Sequence, residues 1–304
     1  MAKVCIISQS QPSHNPRVVK EADALTAAGY DVSVIAPRYS RWGSEADSVF
    51  RGRDWRLVDA GFFGPMAPRF DRIREKLRRE AAKMLVFRGG VRSDYWMHAA
   101  WHPATLQLRR TAHQVPADLY IAHYPAALPA AASAARRHGS KYAFDAEDFH
   151  LGDPPELADF DDERMLLREI EGKLLPGCSY VSAAAPLIAE AYARNYPIEK
   201  PTTILNVFPS AGAPAAWTDR GSAIPGPSIY WVSQTIGPDR GLETAVEAIA
   251  LSRSRFHLYL RGNPIPDFVA RLTELAGRWR DHVHILPMAA PDQMESLAAQ
   301  FDLG

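Results

Sequence analysis

Cysteine is almost absent from this 304-residue chain: Cys5 falls inside an expected strand and Cys178 beside another. The pair has no metal-ligand spacing, so two buried thiols are expected rather than a disulfide or a metal centre. Excess charge of either sign is also missing, since Lys and Arg number 35 and Asp and Glu 35. Nucleic acid is therefore not the default partner. No uninterrupted apolar run approaches the ~20 residues of a membrane span. The opening MAKVCIIS lacks the basic region, apolar core and cleavage site of a signal peptide, and a cytoplasmic protein is expected. Neither loop that would carry G-x-G-x-x-G does so, which disfavours a dehydrogenase. What is present is 47% apolar residues in a length that allows two domains, an ordinary globular composition.

Residues 4–36 set the pattern for the chain. Apolar runs at 4–7 and 32–36, the second rich in β-branched residues, predict buried parallel strands. Between them Asn15 suits an N-cap, Pro16 the first helical position, and Gly29 the C-terminal stop, while Val18, Ala22 and Leu25 share a face. Arg17 stands in the first turn, where the helix dipole disfavours a cation. Either an anion bound there, phosphate or carboxylate, accounts for it, or the arginine is simply solvated.

Residues 38–55 read as a loop before a short strand near 56–60. From 69 to 92 basic residues crowd together, with Phe70, Ile73, Leu77, Met84 and Phe87 near helical spacing and Tyr95, Trp96 and Trp101 close behind. Such a helix either packs its stripe on its own domain or lies on an anionic lipid surface. A strand at 119–122 leads to His123, then an alanine-rich helix stops at Gly139. The next strand, 142–144, runs into Asp145, Ala146, Glu147, Asp148, Phe149 and His150. Carboxyl ends of parallel strands line the ligand crevice of doubly wound sheets, so His123 and this acidic run should meet there. A helix at 163–175, a strand at 179–182, a helix at 186–195 and a strand at 202–205 complete the half.

Residues 209–227, rich in Pro, Gly, Ala and Ser, read as a linker. The pattern then restarts: a strand at 229–232, a loop at 233–240, a helix at 241–250 and a strand at 257–260. Arg240 again places a cation at a helix N-terminus, and Gly237 and Gly241 would let backbone amides approach a ligand. Helix 267–279, strand 283–286 and helix 292–300 follow, and Phe301 opens what reads as another strand.

In their order along the chain, SHNPRVVKEADALTAAGYDVSVIAP, AHYPAALPAA, YAFDAEDFH, YVSAAAP, ILNVFP and WVSQTIGPDRGLETAVEAI followed by LYLRGN resemble family 4 glycosyltransferases. The resemblance implies an α/β GT-B fold: two doubly wound, Rossmann-like domains facing a cleft, at 1–208 and 228–304, the second incomplete. It implies retaining transfer from a UDP- or GDP-type nucleotide sugar to a glycan or lipid-linked acceptor in polysaccharide assembly, with no metal and no other cofactor. Arg240 matches the family's donor-diphosphate cation, joined by Gly237, Gly241 and Arg17. Glu147, Asp148 and His123 are then the catalytic candidates, and His150, Asn15 and Asp145 candidates for positioning sugar or acceptor. Glu147 stands where the family carries histidine, the first loop SQSQPSHN has no glycine, and Ser233 replaces a donor-domain glycine. The family's Glu-x7-Glu segment would lie beyond Gly304, so this chain by itself is expected to be inactive. A nucleotide-sugar epimerase, or a non-catalytic sugar-nucleotide or membrane-surface binding protein, are the alternatives.

Overall fold

The computed structural model describes residues 1–152, 160–207, 226–252, 256–289 and 293–304. The chain divides into two compact units, Met1–Asn206 and Val207–Gly304. In the first, the elements run β1 (Lys3–Ser8), α1 (Pro16–Ala27), β2 (Asp31–Arg38), α2 (Arg41–Ala46), β3 (Arg56–Phe62), α3 (Arg69–Lys83), α4 (Asp94–Trp101), α5 (Pro103–Ala112), β4 (Leu119–His123), α6 (Leu128–His138), β5 (Lys141–Ala146), α7 (Phe160–Leu174), β6 (Val181–Ala183), α8 (Pro186–Asn195) and β7 (Thr202–Thr203). The strands form one parallel sheet in the order β3-β2-β1-β4-β5-β6-β7. Chain order reverses between β1 and β4, so the crevice at their carboxyl ends is the switch point where doubly wound sheets bind ligands.

Burial explains the strand assignments. Cys5, Ile6, Ile7, Val34, Ile35, Ile121 and Ala122 lie within 1% of full burial, as strands covered on both faces require. Small residues let α6 sit close on the sheet: Ala130, Ala131 and Ala134 are fully buried. Gly139 ends that helix in the left-handed conformation at φ 65°, which glycine adopts without a Cβ penalty. Cys5 and Cys178 are free thiols, and burial pushes both up to about 12.

The expected loop at 38–55 instead contains α2 and a 3-10 segment. Ser40 caps α2 through Gly43 N at 2.9 Å, and Asp47 accepts from Ser13 N at 2.9 Å and Gln11 Nε2 at 3.1 Å. These polar ties leave no apolar period to read. Helices α4 and α5 also escaped the sequence reading. They meet at Pro103, where the caps Ser93 and His102 start each helix in turn. Beyond Lys83 the basic helix continues through a π-turn, Met84–Arg88. Its outward stripe is uncovered: Phe70 is 74%, Ile73 53%, Leu77 65% and Met84 59% exposed. The expectation that this stripe packs on its own domain holds for Phe87 alone, which joins Ala82 and Val86, on the other face, beside Met97 and Ala100.

The second unit runs β8 (Ser228–Ile236), α9 (Leu242–Leu251), β9 (His257–Pro264), α10 (Pro266–Ala276), β10 (Val283–Leu286) and α11 (Met294–Ala298). Its sheet order is β10-β9-β8. The first half of the expected loop at 233–240 is strand, because β8 stays paired with β9 as far as Ile236 opposite Pro264, through a bulge. Leu303 bridges Ile229 in parallel, and Phe301 stacks on Tyr230 with ring centroids 4.6 Å apart. The linker expected at 209–227 lies almost wholly outside the described residues.

Candidate functional site

At the switch point, side chains from α1, β4, β5 and β6 converge. Asn15 caps α1, its Oδ1 accepting from Arg17 N at 3.2 Å and Val18 N at 3.3 Å. Its amide nitrogen donates to Glu147 Oε1 at 2.6 Å, and His123 Nδ1 shares that oxygen at 2.8 Å. The other ring nitrogen, Nε2, meets Glu21 Oε2 at 2.5 Å. With a carboxylate on each nitrogen the ring is read as an imidazolium donating twice. Burial alone would lower the His123 pKa, but Glu21, Glu147 and Asp145 outweigh it and raise it to about 10.

Asp145 lies beneath. Arg17 donates to it through Nε and through NH2 at 2.8 Å, Ser182 Oγ at 2.5 Å, and the remaining Arg17 nitrogen reaches Ile204 O at 2.6 Å. Burial pushes the Asp145 carboxyl up, and Arg17, His123 and Ser182 more than reverse this, so it is held below the usual range. The cation in the first turn of α1 therefore does have an anion, but it is this carboxylate. Arg17 is 7% exposed, and all three guanidinium nitrogens are engaged within the protein. His123 is 0%, Asn15 2% and Asp145 2% exposed; Asn15 and His123 bond to Glu147, and Asp145 to Arg17 and Ser182.

Glu147 keeps 11% side-chain exposure. Tyr124, in the left-handed conformation at φ 67°, leans on it, its hydroxyl pushed up by burial and then by Glu147. Asp148 is exposed on the following residue. His150 lines a separate cavity of about 180 Å³ with Gln9, Trp101, His102, Pro125 and Arg164. His123, Asp145 and Glu147 meet as expected from the ends of adjacent parallel strands, and Glu21, Tyr124 and Ser182, not expected there, join them. Glu21 stands four residues after Arg17 and so shares its helical face, the one signal available for it.

His123, Asp145 and Glu147 offer ligand atoms that lie within 4.8 Å of one another. A divalent ion does not fit this set as built. It would have to displace the His123 proton and the guanidinium already neutralising Asp145.

In the second unit, Asp239 at φ 61° and Gly241 at φ 70° turn the chain into α9, whose first turn has no side-chain cap. Arg240 NH1 donates to Ser233 Oγ at 2.9 Å from an exposed position. A Cβ on Gly237 would meet Ile265 at 3.0 Å, and one on Gly262 would meet Ser233 O at 2.6 Å. Backbone packing at the bulge therefore calls for glycine at 262.

Among solved structures, Anabaena Alr3699/HepE in complex with UDP and glucose is similar at 14% identity and TM-score 0.64, over 98% of this chain and 72% of that one. Sucrose-phosphate synthase from Thermosynechococcus elongatus is similar at 14% identity and TM-score 0.63, over 98% and 74%. A glycosyltransferase from Rickettsia africae follows at 14% identity and TM-score 0.55, over 98% and 71%. These likenesses establish the GT-B fold. No curated protein sequence matches the chain. The profile of glycosyl transferase 4-like domains matches residues 14–206, nearly all of the first unit and more than half of the chain, and the chain belongs to that family.

Proposed function

We propose that this protein is a retaining glycosyltransferase moving a sugar from a UDP- or GDP-sugar to a glycan or lipid-linked acceptor in polysaccharide assembly, without a metal. The observation that carries the reading is the network at the switch point of the first sheet, where Asn15, His123 and Tyr124 hold Glu147 at the mouth of the crevice. Breaking a glycosyl phosphate bond places negative charge on the leaving diphosphate and positive charge on the sugar ring. Arg240 and the uncapped amides of α9 supply fixed positive potential for the diphosphate,. The leaving phosphate takes the acceptor proton, which frees Glu147, Asp148 and His150 to orient sugar and acceptor hydroxyls.

Arg240→Ala tests the donor half of this reading. A charge-assisted contact to phosphate is worth roughly 1.5 to 3 kcal/mol, so donor affinity and transfer should fall about tenfold to a hundredfold. Donor affinity and rate both within about twofold of the parent would remove Arg240 from the site. Product analysis distinguishes transfer from epimerisation, since an epimerase converts its nucleotide sugar with no acceptor present.

A peripheral membrane position on a cytoplasmic face is the companion reading. It is favoured by the exposed stripe of Phe70, Ile73, Leu77 and Met84, flanked by Arg69, Arg72, Arg74 and Lys76. Among the described residues, no helix is long and apolar enough to cross a membrane.

A further inference from the structure

We infer that Glu171, buried behind the acidic strand end, is a positioning residue for the segment that carries Glu147, acting through a Tyr192 hydroxyl shared between the Glu171 carboxyl and the Asp148 backbone carbonyl. Glu171 is 1% and Tyr192 0% exposed. The Tyr192 hydroxyl lies 3.0 Å from Glu171 Oε1 and 3.4 Å from Asp148 O, and the Tyr196 hydroxyl donates to Glu171 Oε2. Phe149 packs edge-on against Tyr192 with ring centroids 5.3 Å apart. The residues after Glu147 thus rest on this tyrosine through both backbone and side chain.

A phenol has one proton to give. While Glu171 is ionised, its charge draws the protons of both tyrosines, because hydrogen bonds to a charged acceptor are the stronger kind. The Asp148 carbonyl then has no donor from Tyr192. When Glu171 takes up a proton, its own O–H can donate to the Tyr192 oxygen, and the Tyr192 proton turns to the Asp148 carbonyl. Ionisation of a side chain on the next helix, α7, is thereby read out one residue from Glu147.

The surroundings place that ionisation in a useful range. Burial raises the Glu171 carboxyl to about 7, with Tyr196 and Tyr192 holding it from going higher. On its own helix, Arg168 acts on Tyr196, and from the strand end the Asp148 carboxylate acts on Tyr192. From α4 and α6, Asp94, His98 and Arg136 act around the Lys173–Asp94 pair. No lysine or arginine is paired with Glu171 among the described residues.

Amide hydrogen exchange in the intact chain tests the inference without reference to any reaction. Protection of the 148–152 amides, corrected for intrinsic rates, should fall about fivefold, one net hydrogen bond, between about pH 6 and pH 8. Glu171→Gln, whose amide can donate to Tyr192 as the protonated acid does, should stay protected at both pH values. Tyr192→Phe should be unprotected at both. The infrared band of a protonated carboxyl should fade over the same range in the parent and be missing in Glu171→Gln. A parent whose exchange is flat, or the same pH response in Glu171→Gln, would overturn the inference. Should either variant fail to fold, the parent's exchange and infrared profiles still decide it, since both must titrate together. Where transfer is measured, its pH profile should lose the same step in Glu171→Gln. Absence of transfer altogether would count against the proposed activity and leave this result standing.

Discussion

One oxygen of Glu147 accepts from both Asn15 Nδ2 and His123 Nδ1, so its charge serves the protein before it serves any ligand. Glu147→Gln keeps that acceptor oxygen and loses the charge. Transfer should fall by about tenfold to a thousandfold, the scale of one charged hydrogen bond, with a small change in stability. Glu147→His should not restore it, because an imidazole cannot accept from Asn15, His123 and Tyr124 together. Parallel transfer assays and melting curves decide the matter; full activity in Glu147→Gln would make the cluster purely structural. Asp145 is the opposite case. Asp145→Ala strands the buried Arg17 guanidinium and should lower unfolding free energy by about 3 to 5 kcal/mol. Removing both charges, with Arg17→Met and Asp145→Leu, should recover much of this in urea titrations.

At the scale of elements, α3 is built with two unlike faces. Its inner face buries Ala82 and continues to Val86, while its outer stripe keeps Phe70 and Leu77 exposed beside the exposed cations Arg72 and Lys76. A well-placed cation at an anionic surface contributes about 1 kcal/mol. The protein should therefore sediment with anionic vesicles at low salt and be released as salt rises. Replacing Phe70 and Leu77 by Ser should reduce recovery about tenfold or more, because each buried ring or branched chain contributes about 1.5 to 3 kcal/mol. Equal recovery with neutral and anionic vesicles would leave α3 an ordinary solvated helix.

At the scale of the whole molecule, buried titrating groups set a pH profile whose limbs can be named. Burial lowers His98 and His102 to about 4. Their stabilising contribution is present above the unfolded value near 6.5 and lost as pH falls through the folded one. The lowered Asp145 loses its contribution in acid as well. Glu171, raised to about 7, works the other way: its contribution is present below the ordinary carboxyl value and gone once pH passes about 7. His123, raised to about 10, contributes fully below about 6.5 and is lost as pH rises through about 10,. Each group shifts stability by about 1.4 kcal/mol per pH unit between its two values. Melting temperature should peak near neutrality, with a late alkaline decline that His123→Gln removes. An unchanged decline in that variant would count against the imidazolium.

The sequence by itself determined the alternation of strands and helices, because parallel strands buried on both faces must be continuous apolar runs and α1 marks its ends with Asn15, Pro16 and Gly29. It also placed His123 beside Asp145 and Glu147, since consecutive parallel strands end at the same edge. Tertiary structure alone decided what those residues bond to. Whether Arg17 meets a ligand or Asp145, and whether Tyr192 reaches the Asp148 carbonyl, depends on the register of β5 and the packing of α8. These pairings join residues more than forty positions apart, where periodicity carries no information. Helices α4 and α5 were hidden for a related reason: they follow α3 with no strand between them, α4 packing on α3 and α7 and α5 on α6 and the sheet, so no alternation with strands announces them. The outward stripe of α3 has the same spacing as a buried one, and only the surrounding chain shows that nothing described covers it.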